Sequence, residues 1–78
     1  MTREVLVASK ESGAQVHYLL EVFQEGDHWT STLAQLDDEG QPLPTRVAPR
    51  FYGLSASQAR RRMIAVLQND YDEVDPVR

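Results

Sequence analysis

A chain of 78 residues, 41% apolar and 26% charged, suffices for one folded domain and leaves no material for a second hydrophobic core. It has no cysteine, which excludes disulfides and thiolate metal sites, and its two histidines, His17 and His28, are too few for a structural zinc site without carboxylates. A net charge of −4 disfavours general affinity for nucleic acid, because neutralisation of phosphates supplies most non-specific binding. So short a domain buries only about 60% of the surface its unfolded chain exposes, and its stability is marginal without help. With disulfides excluded, association with another chain is the expected helper, and a homodimer is the default form. Apolar runs such as Val5 to Ala8 are far too short to cross a bilayer. Met1-Thr2-Arg3-Glu4 lacks the apolar stretch of a secretory signal, so a soluble, cytoplasmic protein is expected.

In chain order, Arg3 to Ser9 reads as a strand with a β-branched, apolar middle, and Lys10-Glu11-Ser12-Gly13 as a turn. Gln15 to Gln24 is a longer strand. Val16, Tyr18, Leu20 and Val22 share its uniformly apolar face, which should meet the core. Gln15, His17, Leu19, Glu21 and Phe23 share the other, which should be partly wet. Glu25-Gly26-Asp27 marks a hairpin. His28 to Leu36 returns, with Trp29 and Leu33 on one face and a row of Thr30, Thr32 and Ala34 on the other. Asp37 to Pro42 is a second, acidic turn. Pro42, Pro44 and Pro49 then remove backbone donors, so any strand between Thr45 and Tyr52 should be an edge strand or be broken at Pro49.

The last element carries the clearest signals. Ser55-Ala56-Ser57-Gln58 fits a capping box, with Ser55 accepting from a first-turn amide and Gln58 reaching back. Apolar residues then fall at positions 56, 59, 63, 66, 67 and 71, the spacing of one helical face. Asn69 or Asp70 begins the helix end, and Pro76 closes any extension. The expected fold is α+β: a small antiparallel sheet of three to four strands covered on one face by a C-terminal helix. One domain spans residues 1–78, with 73–78 expected as a disordered tail.

Arg60, Arg61 and Arg62 fan over about 200° of this helix and form no single stripe. Arg60 falls beside the apolar face, so its stem should lie along the sheet, while Arg61 and Arg62 flank the solvent side. None has an acidic partner three or four residues away, and all lie in the early turns, where the helix dipole disfavours cations. Asp70, Asp72, Glu73 and Asp75 crowd the end where the dipole disfavours anions. The helix is charged backwards, at a cost of roughly 0.3–1 kcal/mol per placement. The leading explanation pairs the arginines with sheet or turn carboxylates such as Glu21, Glu25 or Asp37. A second gives them another protein, for instance the acidic helix end of a two-fold-related copy. A third gives them nucleic-acid phosphates, with Trp29, Phe51 or Tyr52 stacking on bases.

His17 and His28 fall on neighbouring hairpin strands, where they could approach one another across the turn and, with Glu25 or Asp27, hold a metal weakly. The plainer reading places both on a wet face or rim. No nucleophile or oriented carboxylate accompanies either histidine, no calcium loop is present, and neither a cofactor nor a small-molecule ligand is expected. Trp29 most simply caps the small core; exposed, it would serve as an interface anchor.

The hairpin Tyr18 to Leu36, followed by Gly53-Leu54-Ser55-Ala56-Ser57-Gln58-Ala59, resembles the amino-terminal half of HicB-type antitoxins, in which a Gly-x-[Ser/Thr]-x-x-x-Ala pattern opens the helix. The likeness covers about Val16 to Tyr71. The chain lacks that family's proline- and glycine-containing segment after the second strand, inserts Asp37 to Pro49 there, and has no following DNA-binding region. The resemblance implies a non-catalytic, dimer-forming fold that binds other proteins. The expected function is therefore a non-enzymatic interaction domain, with Arg60, Arg61, Arg62 and Trp29, or the edge strand, as candidate contacts. A nucleic-acid-binding module is the alternative.

Overall fold

The structure, a computed structural model, describes residues 1–44 and 49–77. In chain order the elements are β1 (Thr2–Ser9), β2 (Gln15–Glu25), β3 (His28–Leu36), β4 (Arg50–Gly53), α1 (Ala56–Asp70) and β5 (Glu73–Pro76). The strands form one antiparallel sheet in the order β4-β3-β2-β1-β5, and α1 lies on one face of it. This is the expected α+β architecture with one strand more. No helix among the described residues is long and apolar enough to cross a membrane.

Alternation along the strands decides which residues meet the helix. Leu6 and Ala8 of β1, Leu20 and Val22 of β2, and Leu33 of β3 are buried there, against Ala59, Met63 and Leu67 of α1. Tyr18, Trp29, Phe51, Ala56, Ile64, Tyr71 and Val74 close the rim of this core. One polar side chain is built into the seam. Ser31, fully buried between β3 and α1, donates to the Ala59 carbonyl at 2.7 Å, which leaves its hydroxyl satisfied.

The β2–β3 hairpin turns through Gly26 and Asp27, and Gly26 takes φ +61°, a left-handed conformation that glycine adopts without steric cost. Gly53 serves a different purpose. A Cβ there would stand 2.7 Å from the Ala59 backbone nitrogen, so only glycine lets the first turn of α1 approach β4 this closely. The helix then opens as its sequence requires: the Ser55 hydroxyl accepts from Gln58 N at 3.1 Å. The return bond differs from a standard capping box, because Gln58 Oε1 accepts from Leu54 N at 2.6 Å, one residue before the cap.

The carboxyl-terminal segment corrects the expectation of a disordered tail. After Tyr71 the chain is extended, Asp72 N donates to Ser9 O at 2.9 Å, and Glu73–Pro76 pairs antiparallel with β1. Val74 packs against the core, Glu73 and Asp75 alternate to the uncovered face beside Ser9 and Val7, and Pro76 stands at an open edge where no partner strand demands an amide. At the other edge, β4 begins directly after Pro49, as a broken edge strand should. The part of that expectation covering residues 45–48 lies outside the described residues.

Candidate interaction surface

The helix arginines are for the most part tied into their own fold. The Arg60 guanidinium makes a two-point contact with the Glu4 carboxylate of β1, with Nε on Oε1 and Nη2 on Oε2 at 3.2 Å. This hydrogen bond raises the Arg60 pKa further above its ordinary value, so the cation is permanent. The partner is a sheet carboxylate, as expected, but Glu4 rather than Glu21, Glu25 or Asp37. Glu21 is taken by Arg3 at 3.1 Å, and the Arg50 guanidinium stands 3.5 Å from Glu25. Asp37 spends one carboxylate oxygen on the amides of Glu39 and Gln41, both at 2.9 Å. Arg62 donates to the Tyr52 carbonyl of β4 at 2.7 Å. The helix is thus clasped to β1 by Arg60 and to β4 by Arg62, which offsets the unfavourable placement of both cations in the dipole. Arg61 is exposed and makes no hydrogen bond or ion pair among the described residues.

Trp29 does not join these arginines on a common surface. It lies on the helix-covered side of β3, opposite Gly53, half-buried against the core. Phe51 likewise faces the core, and Tyr52 alone of the three aromatics is exposed, edge-on to His28 at 5.3 Å between ring centres. The two histidines also separate. His17 is registered with Leu36 and His28 with Glu25, so they stand eight residues apart along the hairpin. At ~3.3 Å per residue that is roughly 26 Å, too far to share a metal or a proton. The expectation that they approach one another fails because residues pair across a hairpin only when symmetric about its turn. Among the described residues no group of three or more metal-ligating side chains occurs.

What the strands bring together instead is an apolar field on the sheet face that α1 does not cover. Val5 and Val7 of β1, Leu19 and Phe23 of β2, and Ala34 and Leu36 of β3 all point there and are half-buried, with Phe23 set apart from the others by the polar row of Arg3, Glu21, Thr32 and Arg50. Register stacks them: Val5, Leu19 and Ala34 form one row across three strands, and Val7, His17 and Leu36 the next. Thr30 continues the surface between Phe23 and Tyr52; it is fully buried and donates to Glu25 at 2.7 Å. The acidic turn after β3 curls beside this face and leaves a hollow of about 290 Å³ lined by Val5, His17, Leu36, Asp37, Asp38 and Gly40. The wet side of β2 was legible as mixed, but the field was not, because it needs three strands in register before its residues become neighbours.

No protein-family model, curated protein or solved structure matches the chain.

Proposed function

We propose that this chain is a small non-enzymatic interaction domain, homodimeric by default, that makes its contact through the uncovered face of its sheet. The observation that carries the reading is the apolar field of Val5, Val7, Leu19, Phe23, Ala34 and Leu36. Apolar side chains grouped on a sheet face that no other element covers are what a contact site offers. A cysteine-free domain of this size also gains from burying that patch. The contact moves away from the helix arginines, because Arg60 and Arg62 already have partners within the chain. The resemblance to HicB-type antitoxins, which implies a dimer-forming, non-catalytic fold, supports the same reading.

Sedimentation velocity across the micromolar range tests it. Wild-type protein should associate, and Leu19→Glu should remain monomeric with an unchanged far-ultraviolet circular dichroism spectrum. A wild-type chain that stays monomeric throughout overturns the reading.

A further inference from the structure

We infer that the occupant of the uncovered face is a second copy of this chain, packed sheet to sheet about a two-fold axis that runs across the strands. The acidic end of each copy then lies over the basic end of the other. This deepens the interaction reading above and rests on it.

The molecule is electrically polar along its strands. One end, where β1 and β3 finish and β5 starts, carries Glu11, Asp37, Asp38, Glu39, Asp72 and Glu73, with Lys10 the only cation there among the described residues. Toward the other end stand Arg3 and Arg50 on the uncovered face, each beside a carboxylate of its own chain, Glu21 and Glu25. Arg61 and Arg62 stand there on the helix, with Asp27 the further anion, so this end is far less acidic than the first. Two sheets can meet face to face about an in-plane two-fold axis in two ways, since an isologous contact sets one surface against itself.

An axis along the strands keeps like ends together. It stacks the acidic turns on one another and carries Arg3 from the β1 side toward the β3–β4 side, where Arg50 of the second copy stands. An axis across the strands reverses the ends and keeps each strand over its own counterpart. Asp38, at the end of β3, then approaches Arg50 of the second copy, one strand over on β4. Glu73 on β5 likewise approaches Arg3 of the second copy, one strand over on β1. Like charges facing each other are costly and opposite charges fix orientation, so the second axis is selected.

Placed between the row of Val7, His17 and Leu36 and the row of Val5, Leu19 and Ala34, this axis lays each apolar row on the other. The size fits. With strands ~4.8 Å apart and ~3.3 Å per residue, the face projects about 600 Å², the same order as the ~800 Å² each partner contributes to a standard interface. Sheets packed this way lie with their strands within about 30° of one another.

The chain has no cysteine, so a nitroxide on Asp27→Cys, at the exposed tip of the β2–β3 turn, reports one distance per dimer. In the wild-type background an axis across the strands puts the two labels roughly 50–60 Å apart by strand rise, and an axis along the strands brings them within about 25 Å. Charge exchange gives the second readout. Arg3→Glu/Arg50→Glu and Asp38→Lys/Glu73→Lys should each weaken self-association at least tenfold, and an equimolar mixture should restore it as a heterodimer. A dimer with close labels, or one that neither charge variant weakens, overturns the inference and leaves the interaction reading standing. A chain that never associates removes both.

Discussion

The two faces of this sheet are made by the same strands, yet they solve different problems. On the helix side, Leu6, Leu20, Leu33, Met63 and Leu67 interlock, and the single buried hydroxyl, Ser31, has its acceptor. On the other side Val5, Val7, Leu19 and Leu36 are shielded only by neighbours in their own sheet and by flanking charges. Adjacent residues of one strand therefore live under different rules: Leu20 has no accessible surface, and Leu19, beside it, is half open. The contrast separates residues whose removal breaks the fold from residues that, on the proposed reading, are needed for the contact and not for the fold.

The largest expected effect tests that contrast on neighbouring leucines. Leu20→Ala should cost about 2–5 kcal/mol through lost burial and a residual cavity. Leu19→Ala should cost clearly less in the monomer, because a partly exposed position leaves no enclosed void behind. Urea unfolding of dilute protein checks both, and equal losses would erase the distinction between the faces. Gly53→Ala comes next. The new methyl group would meet the Ala59 backbone, so α1 must shift away from β4 at a cost of about 1–3 kcal/mol. At roughly 4–8 °C per kcal/mol for a domain of this length, calorimetry resolves that loss easily.

The smallest effect appears with pH. The Tyr18 and Tyr71 hydroxyls are 3.0 Å apart at the rim of the core, and burial, together with this hydrogen bond, pushes the Tyr18 phenol up from its ordinary value. A raised pKa in the folded state means that folding favours the protonated phenol. That stability is complete below the ordinary phenol value of about 10 and declines as pH rises above it. Chemical denaturation between neutral pH and strongly alkaline solution, above the ordinary phenol value of about 10, should show the decline in wild type and a weaker one in Tyr18→Phe. Identical profiles would remove Tyr18 as the group responsible.

Most of the helix-covered face was legible in the sequence, because period-two and helical spacings each mark one surface of one element. Val16, Tyr18, Leu20 and Val22 announce themselves on β2, and so do Ala59, Met63 and Leu67 on α1. The partner of Arg60 was not legible: Glu4 lies 56 positions away, and only the docking of α1 across β1 brings them together. The uncovered field escaped for the same reason, since Val5, Leu19 and Ala34 become a row only through two strand registers. Strand β5 was hidden by its own chemistry. An edge strand with charged residues, one proline and a single core contact, Val74, has the composition of a solvated tail. The arginine triplet misled in the opposite direction, because backward helix charges suggest a partner outside the chain until Glu4 and the Tyr52 carbonyl are seen to receive two of them.

The pairing of β5 with β1 means that the sheet of this domain is complete only once its last strand is available. Leu6 is registered with Pro76, so the sheet joins the first described strand of the domain to the last, with the other described elements between them in sequence. While the chain is still emerging from the ribosome, β1 has β2 on one side and an open row of backbone donors and acceptors on the other. An open strand edge is a template for mispairing. Folding of this domain is therefore completed late, and a chain interrupted after α1 would carry the helix-packed core together with an unguarded edge on β1.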